Sequence, residues 1–141
     1  MASTFTVQIA SPERVCLERE VASLTAPAYD GYLGVMANHA PMVAELRVGE
    51  VRLVDADGAE ELVAVSGGFL SVSDNTAVVL ADSAEVATDI DQERAQEAKK
   101  RARERLAGNG DNQDSDAVDS ERARCALVRA INRLTVVGKR P

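Results

Sequence analysis

Tryptophan is absent from this chain, and only two phenylalanines and two tyrosines are present. Yet 45% of the residues are hydrophobic, so a core must be built from Val, Leu, Ile and Ala. His39 is the sole histidine; a multi-histidine metal site is excluded, and a Ser-His-Asp triad gains no support. The two cysteines, Cys16 and Cys125, are far apart, with none of the close spacing of a metal or redox motif. With no signal-peptide pattern before them, free cytosolic thiols are the expectation. No apolar run approaches the ~20 residues a helix needs to span a bilayer. Basic residues are outnumbered, giving a formal net charge of −7, which argues against nucleic-acid binding.

That charge is unevenly placed. Residues 1–86 carry 4 basic and 13 acidic side chains, whereas residues 87–141 carry 12 basic and 10 acidic. The first part reads as strands. Phe5, Val7 and Ile9 alternate with polar or small residues, and Val15–Glu18 and Val21–Ala26 give two further strand-like runs. Pro27–Met42 is rich in Gly and Pro and reads as a tight, shaped turn, with Gly31 and Gly34 free to take positive φ. Glu50–Val54 and Glu61–Val65 flank Asp55-Ala56-Asp57-Gly58, a hairpin signal. Gly67-Gly68 introduces the strand Phe69–Val72, and Ser73-Asp74-Asn75 turns into Thr76–Leu80. Eight to ten short strands at this spacing predict a β-sandwich or flattened barrel.

The second part reads as helices. Asp89 followed by Gln92 fits a capping box, acids crowd the first turn, and Lys99, Lys100, Arg101, Arg103 and Arg105 follow the helix dipole. Ala95, Ala98, Ala102 and Leu106 form an inward stripe. A flexible polar loop over 107–118 leads to a second helix from about Asp119 to Val136, whose apolar face is Ala123, Ala126, Leu127, Ala130, Ile131 and Leu134. Gly138 stands where a left-handed cap would. The predicted division is therefore a sandwich over 1–87 and an antiparallel hairpin over 88–141. Its seam is mostly alanine, which buries little area, whereas a buried leucine contributes ~1.5–3 kcal/mol. A hairpin so weakly held can have two resting places.

Four segments in order resemble one family. Asp30-Gly31-Tyr32-Leu33-Gly34-Val35-Met36-Ala37-Asn38-His39-Ala40-Pro41-Met42, Ser66-Gly67-Gly68-Phe69, Val79-Leu80-Ala81-Asp82 and Ile90-Asp91-Gln92-Glu93-Arg94-Ala95 are similar to motifs of the epsilon subunit of the bacterial F-type rotary ATP synthase. The resemblance implies a sandwich of about ten strands bound to the gamma subunit and the c-ring, followed by a regulatory two-helix hairpin. It implies a non-catalytic central-stalk subunit on the cytoplasmic face of the bacterial inner membrane, attached to that membrane only through the complex. By the same resemblance, the hairpin is expected to let the motor run when folded down and, when extended, to lie along gamma, reach an acidic segment of a catalytic beta subunit among the alpha and beta subunits, and block ATP hydrolysis.

Site residues come from the same resemblance. Tyr32, Met36, His39 and Met42 are implied at the gamma and c-ring interface, with Tyr32 standing where the family commonly carries Glu. No metal and no required cofactor are implied, but ATP is a regulatory ligand of some members. Its implied site here is Glu85, Asp91, Arg94, Ala95, Arg101, Arg122, Arg129 and Arg133. Physically, several guanidinium groups on adjacent helix faces repel unless an anion neutralises them. The carboxylates would accept from adenine or ribose while arginines clamp phosphates. Two other readings stand beside this one. A stand-alone sandwich with a basic helical arm would bind some acidic protein but not gamma. A small enzyme is the weakest, since no phosphate loop, nucleophile motif or zinc spacing is present.

Overall fold

The computed structural model describes residues 3–108 and 116–138, with side chains described for 3–107 and 120–138. Most of the polar loop expected over 107–118 lies outside the described residues. The strands are β1 (Phe5–Ala10), β2 (Val15–Val21), β3 (Ser23–Ala28), β4 (Gly31–Met36), β5 (Met42–Val54), β6 (Glu60–Ser73), β7 (Thr76–Ala81) and β8 (Ala84–Val86). They pair in the order β2-β1-β7-β6-β5-β3-β4, with β8 joined to β6. The pairing is antiparallel except between β1 and β7. The expected β-sandwich is present, in eight strands.

The count is eight because β5 and β6 run for 13 and 14 residues. The first half of β6 pairs with β8 and the second half with β7. Gly67-Gly68, expected to separate two strands, instead lies inside β6, where it changes partner. Gly68 has φ 125°, and a Cβ there would fall 2.0 Å from the Leu80 carbonyl oxygen. Only glycine fits so close a crossing.

Two turns match their sequence signals. Asp55 Oδ1 accepts from the amides of Asp57 and Ala59, and Gly58 takes φ 88°. Asp74 and Asn75 are both left-handed and join the paired residues Ser73 and Thr76, the conformation a two-residue hairpin requires. The Pro27–Met42 segment, by contrast, is not one turn. Gly31–Met36 is strand β4, paired with β3. Its alternation of Leu33 and Val35 inward with Tyr32 and Met36 outward is interrupted by glycine, which hides the period of two. Gly31 does adopt positive φ; Gly34 lies within the strand and does not.

Phe5, Val7, Ile9, Leu24, Val51, Leu53, Val63, Val65, Leu70 and Val79 fill one continuous core. The Leu62-Val63-Ala64-Val65 run is buried at every position. Val63 and Val65 point into the sandwich, while Leu62 and Ala64 belong to a second cluster with Ala87, Ile90, Val136 and Val137. A strand covered on both faces must be apolar at every residue.

The helical part begins with a single 3-10 turn, Ala87–Asp89, and the extended residue Ile90. Helix α1 is Gln92–Gly108 and α2 is Asp116–Gly138. The cap of α1 is Asp91, not Asp89: Asp91 Oδ1 accepts from the Arg94 amide at 3.1 Å, whereas Asp89 is spent inside the 3-10 turn. Gly138 ends α2 without the left-handed backbone expected of it. Ala95, Ala102, Ala123 and Ala130 are buried where α1 and α2 meet. The end of α2 lies beside the start of α1, because Arg133 shares a cavity with Asp91 and Arg94; the pair is antiparallel. Ile131, expected inside, is 41% exposed. At 100° per residue it stands well round from Ala130, and an alanine seam is too narrow to cover it.

The hairpin rests on the sandwich through the end of α2. Val136 and Val137 press onto Leu62, Ala64, Ala87 and Ile90. Asn132 Nδ2 donates to the Gly49 and Val65 carbonyls at 2.9 and 3.4 Å. Arg133 Nε meets Glu85 Oε2 at 3.1 Å. The attachment is small and partly polar.

Candidate functional site

Four pieces of chain converge at the junction of sandwich and hairpin. Glu85 comes from β8, Ile90 and Asp91 from the link into α1, and Arg94, Ala95, Ala98 and Arg101 from the first turns of α1. Arg133 closes the far wall from α2. Together they line a cavity of about 170 Å³. Six of the eight residues implied for ATP are thus neighbours. Arg94 and Arg101, seven apart, fall on one face of α1, and the small Ala95 and Ala98 leave room between the helices.

The electrostatics favour an anion. Glu85 is already paired with Arg133. Asp91 spends one oxygen on the helix cap and keeps the other as an acceptor. Arg94 stands in the first turn of α1, where a cation opposes the helix dipole, and no carboxylate lies within ion-pair distance of Arg94 or Arg101 among the described residues. The cavity walls belong to both modules.

Two implied residues stand elsewhere. Arg129 lines a neighbouring cavity of about 190 Å³ with Ser11, Arg14, Ser66, Ser83 and Asn132, on the other side of the Arg133–Glu85 pair. Arg122 lines neither cavity. It shares a helix face with Arg133 but lies eleven residues away, about 16 Å along the axis.

The implied interface residues occupy β4, the turn after it and the first position of β5. Tyr32 is 56% exposed, with the Arg47 guanidinium 6.0 Å from its ring centroid, a distance at which the cation is attracted to the ring face. Met36 is exposed on the same strand. His39 lies in the next turn, its Nδ1 2.7 Å from the Ala40 carbonyl. Met42 is half-buried and packs on the core.

A second surface is one that the sequence reasoning missed. Val15, Val43, Phe69 and Leu80 are each more than half exposed. The pairings Val15–Ala10, Ala10–Leu80 and Leu80–Phe69 put three of them in one row across four strands, and Val43 lies in the next row. The available signal is the unbroken Val78-Val79-Leu80 run: a strand apolar on both faces expects cover on both. Other faces are plainer. Among the described residues no helix is long and apolar enough to cross a membrane. Both cysteines are free, Cys125 exposed and Cys16 half-buried, and burial pushes the Cys16 thiol above its ordinary pKa.

The class defined here is a β-sandwich scaffold carrying a lightly docked helical hairpin, with an anion-suited cavity at the joint. Comparison with known proteins makes this specific. The family described as "ATP synthase, Delta/Epsilon chain, beta-sandwich domain" matches residues 4–87, and "ATP synthase, Delta/Epsilon chain, long alpha-helix domain" matches residues 88–138. The ATP synthase epsilon chain of Desulforamulus reducens is 46% identical, with 95% of this chain and 97% of that one covered. That of Bacillus velezensis is 45% identical, covering 96% and 98%, and that of Latilactobacillus sakei 43%, covering 93% and 90%. The chain belongs to the ATP synthase epsilon chains. Among solved structures, a chain of the Euglena gracilis mitochondrial ATP synthase (OSCP/F1/c-ring) has a similar fold, with TM-score 0.73, 22% identity, and coverage of 92% of this chain and 78% of that one. A chain of the Tetrahymena thermophila central stalk/c-ring structure has TM-score 0.57 and 17% identity, covering 94% and 95%.

Proposed function

We propose that this chain is the non-catalytic central-stalk subunit that couples gamma to the c-ring, and that its hairpin governs ATP hydrolysis by leaving the sandwich. The observation that carries this reading is the joint. The hairpin is held by the last turns of one helix, and the cavity with Arg94 and Arg101 straddles the boundary. ATP in that cavity holds the hairpin down. When it leaves, the hairpin rises along gamma, and the basic face of α1 meets an acidic segment of a beta subunit within the alpha and beta ring. The apolar row with Phe69 and Leu80 and the His39 loop are the surface for gamma, and the outward Tyr32 and Met36 side of β4 meets the c-ring. The chain then sits at the cytoplasmic face of the bacterial membrane, bound there through the complex.

The magnitude is sufficient. A ligand at 100 times its dissociation constant stabilises the state it binds by ~2.7 kcal/mol, comparable to the burial of one or two aliphatic side chains. The test is removal of residues 88–141 in the assembled synthase. Hydrolysis rises while the sandwich stays folded and bound to gamma. Unchanged hydrolysis would contradict the brake, and an unfolded sandwich would contradict the independence of the two modules.

A further inference from the structure

We infer that Asn132 is the positioning residue that fixes where the hairpin docks. The inference rests on the reading that the hairpin leaves and regains the sandwich. Asparagine is a poor helix former, because its amide competes for backbone groups; here it stands well inside α2, one turn before the buried Val136. Its amide nitrogen donates to the carbonyls of Gly49 and Val65, which are direct partners across the β5–β6 ladder. Each carbonyl has a second lone pair for this after serving the sheet. The amide therefore spans the seam between the two long strands, next to the point where β6 passes from β8 to β7.

Valines can slide over a greasy surface; a bond to two fixed carbonyls cannot. A slip of α2 by one turn would bring Val128 or Val136 to this spot, and neither can donate. A buried polar residue that permits one register acts in this way in coiled coils. With Asn132 seated, Arg133 falls beside Glu85 and Val136 falls among Leu62, Ala64 and Ile90. The latch is uncharged. It survives salt concentrations that screen the half-exposed Arg133–Glu85 pair.

Two variants of the full chain separate donation from packing, read by hydrogen exchange of the α2 amides. Asn132→Ala loses the donor and raises exchange about 2- to 12-fold, the range for one net hydrogen bond. Asn132→Asp keeps the volume but turns a carboxylate toward two carbonyl oxygens, and raises it further, about 10- to 100-fold. Exchange across β1 and β7 stays unchanged in both, which shows the sandwich is folded. The inference is overturned if Asn132→Ala loosens α2 more than Asn132→Asp, which is the order of a space-filler, or if neither variant moves it. Hydrolysis by the assembled synthase is measured alongside. Faster α2 exchange with unaltered hydrolysis leaves the latch standing and refutes the brake.

Discussion

Val136→Ala isolates the apolar half of the joint. Val136 is fully buried, and its cluster shares no residue with the sandwich core. Removing two methyl groups costs about 1.6 kcal/mol of transfer energy at ~0.8 per carbon, and the cavity left behind raises this to roughly 2–3 kcal/mol. If docking and folding of the sandwich are separate, the whole cost falls on docking and shifts that equilibrium about 30- to 140-fold. Hydrogen exchange resolved along the full chain reads this directly. The α2 amides lose protection by that factor while strands β1, β6 and β7 keep theirs. ATP at about 100 times its dissociation constant returns ~2.7 kcal/mol and restores most of the protection. Equal loss of protection in sandwich and helices would make them one cooperative unit and refute separate docking, as would an unaffected α2.

Three other outcomes are expected. Calorimetry of ATP binding is abolished or weakened at least tenfold by Arg94→Ala, since a charge-assisted bond contributes about 1.5–3 kcal/mol. Arg122→Ala, which removes a residue outside the cavity, leaves binding within about twofold; equal losses in the two variants would contradict the geometry. Gly68→Ala places a methyl on the Leu80 carbonyl at a left-handed position and lowers stability by more than about 3 kcal/mol, seen as a drop in Tm or loss of soluble protein. A Tm within about two degrees of the parent, on the order of a 0.5 kcal/mol change, would refute the close crossing. Maleimide at pH 8 modifies Cys125 first and Cys16 slowly. Burial raises the Cys16 pKa, so less of the reactive thiolate is present below it; raising the pH through that pKa narrows the gap. Equal rates at pH 8 would contradict the burial of Cys16.

The parts of this fold legible in the sequence are those fixed by local chemistry. The alternation of Phe5, Val7 and Ile9, the Asp-Gly turn at Asp57-Gly58 and the left-handed pair Asp74-Asn75 each depend on their immediate neighbours. The first turns of α1 are legible through the resemblance of Ile90–Ala95 to a family motif, and Asp91, Arg94, Ala95 and Arg101 do line one cavity. Features that depend on distant partners are not. Gly67-Gly68 looks like a break, and only the approach of Leu80 makes it the crossing inside one long strand. Asp89 and Asp91 are chemically equal candidates to cap α1, until packing of Ile90 puts Asp89 in a separate turn. Arg122 shares a helix face with Arg133, but angular spacing says nothing of axial distance. The exposed row through Phe69 and Leu80 is not legible, because an apolar strand carries no mark of which face is inward.

The hairpin is expected to change place as ATP binds and leaves. Cys125 is an exposed thiol on α2, and Asp57 lies in an exposed turn of the sandwich, so a donor and an acceptor at Cys125 and Asp57→Cys, in a Cys16→Ser background, report their separation by energy transfer within the assembled synthase. If the hairpin moves, transfer is high at saturating ATP and falls markedly when ATP is depleted. Transfer that stays the same in both conditions would contradict that movement.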